Sequence, residues 1–65
     1  MPDRQIIIDA CAVALLSAAR RSPPVQSEEL EKQLRHAHPE WEMPAAEMQD
    51  ILRRLAATHS VPLAA

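Results

Sequence analysis

The sequence predicts a single all-α domain of three helices, and three observations support this fold class. The chain has 65 residues with twelve alanines and no glycine. Alanine has the highest helix propensity, whereas tight hairpin turns usually need glycine. Apolar residues recur at helical spacing in three segments that prolines separate. A chain of this length holds one small core, so we expect one domain (1–65) with helices at about 3–21, 27–37 and 44–58.

The first predicted helix, residues 3–21, is apolar on more than one side. Asp3 is suited to cap its N-terminus, and Arg20 and Arg21 complement the helix dipole at its C-terminus. One apolar stripe comprises Ile7, Cys11, Ala14, Leu15 and Ala18, and a second comprises Ile8, Ala12, Leu16 and Ala19. Two interpretations stay open. This is either the central helix of a monomer or a helix that offers its second stripe to another protein or a second copy.

The second predicted helix, residues 27–37, follows a stiff proline-containing linker. Ser27 is expected to cap its N-terminus. Glu31 and Arg35 have the i,i+4 spacing of a helical ion pair. Its buried stripe is expected to comprise Leu30, Leu34 and Ala37. Pro39 ends the helix because the residue before a proline avoids helical geometry.

The third predicted helix, residues 44–58, has the clearest division between apolar and polar faces. Pro44 suits the first helical position, where the missing N–H is no loss. Asp50 and Arg54 are spaced as a helical ion pair. The apolar face comprises Met48, Ile51, Leu52 and Leu55, and the opposite face, expected to be solvated, comprises Glu47, Gln49, Asp50, Arg53 and Arg54. The residues after this helix are too few for a hairpin and predict at most a rudimentary strand.

Trp41 is the only aromatic residue other than histidine, and it lies in the connection between the second and third helices. A single tryptophan in a short loop either fills a small core or anchors a protein partner from an exposed position, since tryptophan is enriched among interface hot spots. Both interpretations of Trp41 remain open at this point.

The segments Val25-Gln26-Ser27-Glu28-Glu29-Leu30 and Glu47-Met48-Gln49-Asp50-Ile51-Leu52-Arg53-Arg54-Leu55-Ala56-Ala57 resemble the helix-turn-helix core of winged-helix domains. The resemblance covers roughly residues 6–61 and implies a wing that is reduced or missing. Domains of this family bind DNA, RNA or proteins, so the resemblance implies no single function. If the third helix reads duplex DNA, the resemblance implies that Gln49, Arg53 and Arg54 contact bases or phosphates.

The charge distribution argues against DNA as the first choice of partner. The formal net charge is −2 and the isoelectric point is about 5.8. Between residues 27 and 59, seven acidic side chains outnumber four basic ones. Because DNA-binding proteins gain most of their affinity by neutralising phosphates, an isolated monomer is poorly suited to this role.

Neither a catalytic nor a metal site is evident in the sequence, so we expect no enzyme activity and no cofactor. A glycine-rich phosphate loop is missing, and Cys11 lies on an apolar stripe where it acts as a small hydrophobic residue. His36 and His38, which flank one residue near a helix end, are expected to be capping or solvated groups; the minor alternative is that they bind zinc or nickel with His59 as a distant third ligand. A single cysteine fits a reducing compartment, and the apolar stretch 6–19 is too short to span a bilayer. We expect a cytoplasmic protein.

These observations together favour a non-catalytic regulatory or protein-interaction module that acts through helix-face contacts, with a protein partner or as a homodimer. The contact residues are expected to be Ile8, Ala12 and Leu16 of the first helix, together with Trp41 if that side chain is exposed. The alternative is a small DNA-binding transcription regulator that uses Gln49, Arg53 and Arg54. We expect neither a membrane nor a small-molecule substrate as partner.

Overall fold

The computed structural model describes residues 3–64, in which three α-helices pack pairwise against one another. Helix α1 spans Arg4–Arg21, α2 spans Ser27–Ala37 and α3 spans Ala45–Thr58. The predicted all-α, three-helix fold is confirmed. The ends of the predicted domain, Met1, Pro2 and Ala65, lie outside the described residues.

One apolar core lies between the three helices. It comprises Ile7, Cys11 and Leu15 of α1, Leu30 and Leu34 of α2, Met48, Ile51, Leu52 and Ala56 of α3, and Val25, Trp41 and Met43 of the connections. The first stripe predicted for α1 therefore faces the core. In α2, Ala37 was wrongly expected to be buried, because it is the last residue of the helix and is exposed. In α3 the buried face is rotated slightly from the predicted one. Ala56 is buried where Leu55 was expected, and Leu55 is only half-buried.

The helix N-termini differ from one another in how they are capped. Asp3 caps α1 as predicted, since its Oδ1 accepts a hydrogen bond from the Gln5 backbone N–H at 3.2 Å. Ser27, predicted as a cap, is instead the first residue of α2, and Gln26 holds the cap position in an extended conformation. Pro44, predicted as the first helical residue, has ψ of 150° and precedes α3 as its cap. An extended ψ keeps Pro44 out of the helical turn.

The segment after α3 turns back and runs beside the linker between α1 and α2. Ser60 has a φ of 55°, an uncommon left-handed conformation for a residue other than glycine. The Val25 N–H donates to the Pro62 carbonyl at 2.9 Å, and the Ala64 N–H donates to the Val25 carbonyl at 2.8 Å. Val25 and Leu63 thereby form an isolated parallel bridge. Within residues 3–64 this bridge is all that corresponds to the predicted rudimentary strand.

Candidate interaction surface

The outer face of α1 exposes large apolar side chains, although most others of the domain are buried. Val13 is 66% exposed, Ile6 is 57% exposed and Leu16 is 37% exposed. In the described part of the chain, these three are the exposed large hydrophobic side chains. Single exposed apolar residues are ordinary, but a group on one helix face is typical of a contact surface.

The three α1 residues that were predicted to contact a protein do not lie on one surface. Leu16 lies on the outer face, whereas Ile8 and Ala12 are half-buried. Ile8 borders a groove of about 240 Å³ between α1 and α3, whose wall also includes Ile51 and Leu55. The second predicted stripe is therefore not one surface, because Ile8 faces α3 and Leu16 faces away from the bundle.

Trp41 is buried, with only 5% of its surface exposed. Its ring stacks on the His38 imidazole with the ring centroids 4.1 Å apart and the planes 4° from parallel. Of the two interpretations of Trp41, the structure therefore supports the one in which the indole fills the core. A tryptophan buried in this way offers no exposed anchor to a partner.

Ile6 and Val13 were not assigned to any surface from the sequence, although a signal for them exists. Ile6, Ala10 and Val13 recur at i, i+4 and i+7, which is a third apolar stripe on α1. Because α1 is apolar almost all round, periodicity alone cannot tell which stripe faces the core. The structure leaves Ile6 and Val13 of this stripe exposed, whereas Ala10 is half-buried and packs against the core.

A polar network joins α2 to α3 and includes Gln49, one of the residues assigned to DNA contacts. The Gln49 side-chain amide donates to Glu31 Oε1 at 2.7 Å and to the Ser27 carbonyl at 3.2 Å. Arg35 donates to Glu31 Oε2 at 2.9 Å and to the Met43 carbonyl at 2.6 Å. The predicted Glu31–Arg35 pair is confirmed. Gln49, by contrast, was expected to be solvated and is half-buried, because its amide bonds to α2.

This network lowers the pKa of Glu31. The largest cause is the hydrogen bond from Gln49, and the hydrogen bond and positive charge of Arg35 act in the same direction, while burial opposes them. The folded-state pKa of Glu31 thus lies below its ordinary value of 4.5. The carboxylate stabilises the fold fully above that ordinary value, and the stabilisation is lost as the pH falls through the folded-state pKa.

We therefore expect Glu31→Gln to reduce the free energy of unfolding by about 1–2 kcal/mol at pH 7. It should also flatten the loss of stability that the wild type shows in acid below pH 4.5. Urea denaturation between neutral and acidic pH measures both effects. Glu28→Gln, on the exposed face of the same helix, is the matched control and should keep the wild-type acid profile. Equal profiles for the two variants would contradict a stabilising role for the network.

The two arginines assigned to DNA contacts lie on the exposed side of α3. Arg54 Nε is 3.0 Å from Asp50 Oδ2, which confirms the predicted ion pair. Arg53 Nε donates to the Gln49 carbonyl at 3.4 Å. At the start of α3, Glu47 bonds to Arg4 of α1, and this contact lies at the solvent-exposed surface. Glu47 and Gln49 thus contact other helices, whereas the bonds of Arg53 and Arg54 stay within α3 and leave both side chains exposed.

The described residues contain few groups arranged for chemistry. Cys11 is fully buried, and this burial raises the pKa of its thiol, so the reactive thiolate is scarce at neutral pH. Within residues 3–64, no three histidine, cysteine, aspartate or glutamate side chains come together as a set that could hold a metal ion. The surface that stands out on this molecule is the outer face of α1.

No protein-family model matches the chain, and neither a curated protein nor a solved structure matches it. Among the helices that the structure describes, none is both long enough and apolar enough to cross a membrane.

Proposed function

We propose that this chain is a non-catalytic interaction module whose docking surface is the outer face of α1. The single observation that carries the proposal is the exposure of Ile6, Val13 and Leu16 together on one helix. The core of this domain is small, so burial of further apolar surface would add substantially to its stability. Complete burial of such a side chain from water contributes about 1.5–3 kcal/mol, and docking would gain the share that belongs to the surface still exposed. Association with another protein surface is the direct way to gain this free energy.

We further propose that the module is regulatory and acts by binding a partner rather than by catalysis. The helix-turn-helix resemblance is compatible with this role, since domains of that family also bind proteins. The proposal includes a cytoplasmic location, supported by the single cysteine, which is unpaired and buried.

Binding of duplex DNA is the second candidate, and its support is Arg53 and Arg54 on the exposed side of α3. Three observations weaken it. The Gln49 amide bonds to α2, Arg54 is paired with Asp50, and the net charge of the chain is −2. With so few cations available for phosphates, electrostatic affinity for DNA would be low. Protein docking through α1 is therefore the better-supported function.

Site-specific photo-crosslinking tests the docking surface. We expect a photoreactive amino acid in place of Val13 to give a discrete adduct in cells that produce the chain. The same group in place of Lys32, which is exposed on α2, should give several-fold less adduct. The physical reason is that the group at position 13 would lie inside the buried interface.

The mass of the adduct tells whether the captured protein is a second copy or a different chain. Leu16→Glu in the same background is the specificity control, because a charge on the outer face should abolish the adduct without unfolding the domain. Equal adduct yields from positions 13 and 32, or no adduct from either, would overturn the proposed function.

A further inference from the structure

We infer that the outer face of α1 binds a second copy of this chain, with the two α1 helices antiparallel. This inference rests on the proposed function and names the partner. We call the surface the outer stripe and define it by the residues Ile6, Asp9, Val13, Leu16 and Arg20. All five side chains are exposed.

The outer stripe has the spacing of a coiled-coil seam. Its members are separated by three, four, three and four residues, which is the alternation of the a and d positions of a heptad. Such a stripe stays on one side of the helix and fits a second helix of the same kind. The stripe runs along 15 residues, from Ile6 to Arg20, or roughly 22 Å of helix.

The order of the charges on the outer stripe selects the antiparallel arrangement. Asp9 lies towards the N-terminal end, Arg20 lies at the C-terminal end, and the apolar Val13 and Leu16 lie between them. In a parallel pair, Asp9 would face Asp9 of the second copy and Arg20 would face Arg20 of the second copy, and these like charges would repel each other. In an antiparallel pair, Asp9 faces Arg20 of the second copy and Val13 faces Leu16 of the second copy. The surface is thus complementary to itself, as the interface of a two-fold dimer must be.

Contacts within the monomer leave the charges of Asp9 and Arg20 available for a second copy. Asp9 Oδ1 accepts a hydrogen bond from the Gln5 side-chain amide at 2.9 Å, so the second carboxylate oxygen can bond to a guanidinium. Among the ion pairs of residues 3–64, none uses Arg20. The side chains beside the apolar centre, Ala10, Ala12 and Ser17, are small and allow two helices to approach closely.

The size of the outer stripe sets the expected strength of the dimer. In the antiparallel pair the two helices overlap from Asp9 to Arg20, over roughly 18 Å, and Ile6 lies beyond the overlap, so the dimer buries less than the ~1,600 Å² of a standard protein interface. We therefore expect a reversible dimer with a dissociation constant on the order of 10–100 µM. Sedimentation of the purified chain from about 5 µM to 1 mM covers this range and should show the change from monomer to dimer.

Reversing either end charge tests the antiparallel arrangement. We expect Asp9→Arg to weaken the dimer at least about tenfold, because the introduced guanidinium would then face Arg20 of the second copy at both ends of the interface. Arg20→Asp should weaken it similarly. An equimolar mixture of the two variants, and the double variant that carries both changes, should each return to near the wild-type affinity. Glu42→Arg, a charge reversal on an exposed loop residue, should leave the affinity unchanged.

The outcomes separate the dimer from the docking surface on which it rests. Unchanged dimerisation in both single variants would overturn the antiparallel arrangement. A chain that stays monomeric at 1 mM, while position 13 crosslinks to a different protein, would overturn the second copy as the partner and leave the proposed function standing. A monomeric chain without crosslinks at position 13 would overturn both. Circular dichroism of each variant confirms that the helices are intact.

Discussion

Replacing Trp41 by alanine is expected to lower the free energy of unfolding by about 3–5 kcal/mol. Trp41 is 5% exposed and belongs to the same core as residues of all three helices. A 65-residue domain has roughly 3–10 kcal/mol of stability in total. The substitution should therefore leave much of the population unfolded at room temperature, visible as a loss of helical circular dichroism.

His38→Ala separates the burial of the indole from its stacking. The ring contact between His38 and Trp41 is worth about 0.5–1.5 kcal/mol, so His38→Ala should cost much less than Trp41→Ala. A Trp41→Ala variant that melts within a few degrees of the wild type would contradict a core position for this side chain. It would also reopen the interpretation of Trp41 as an exposed anchor.

The helix bounds and the fold class were predictable because local signals specify them. Asp3 caps α1 through its own side chain, and Pro39 comes two residues after α2, which ends at Ala37. The periodicity of α3 was clear because polar residues occupy its other face. Caps, prolines and apolar spacing act over a few residues, so they can be read directly from the sequence.

The candidate site was only partly predictable because it depends on which face of α1 the other helices cover. Leu16 was assigned correctly to the exposed side, but Ile6 and Val13 were missed and Ile8 turned out to face α3. An apolar side chain looks the same in the sequence whether it is buried in the core or exposed on the surface. Only the packing of α2 and α3 against α1 distinguishes the stripes, and that packing is a property of the whole fold.

The polar network between α2 and α3 was unpredictable for a related reason. Gln49 bonds to Glu31, 18 residues earlier in the chain, and Arg35 bonds to the Met43 carbonyl across the connection. Neither contact has a local spacing that would reveal it. This contact counts against the proposed DNA alternative, because the Gln49 Nε2 group already donates to the Ser27 carbonyl and to Glu31.

The substitutions Leu15→Ala and Leu16→Ala remove the same atoms from adjacent positions of α1 and should differ strongly in their effect on stability. Leu15 is fully buried and Leu16 is 37% exposed. We expect Leu15→Ala to cost about 2–5 kcal/mol of unfolding free energy, because it leaves a cavity in the core. Leu16→Ala should cost less than about 1 kcal/mol in the monomer. Urea denaturation at a few micromolar protein measures both values.

Varying the protein concentration then separates the contribution of Leu16 to the stability of the monomer from its contribution to dimerisation. A ligand that binds only the folded state raises the apparent stability in proportion to the logarithm of its concentration. In the proposed dimer the second copy is that ligand, so the wild type and Leu15→Ala should both gain stability as the concentration rises. Leu16→Ala should gain less, since its interface lacks the central leucine. If all three proteins respond equally to concentration, Leu16 lies outside the interface, and the outer face of α1 would not be the dimer surface.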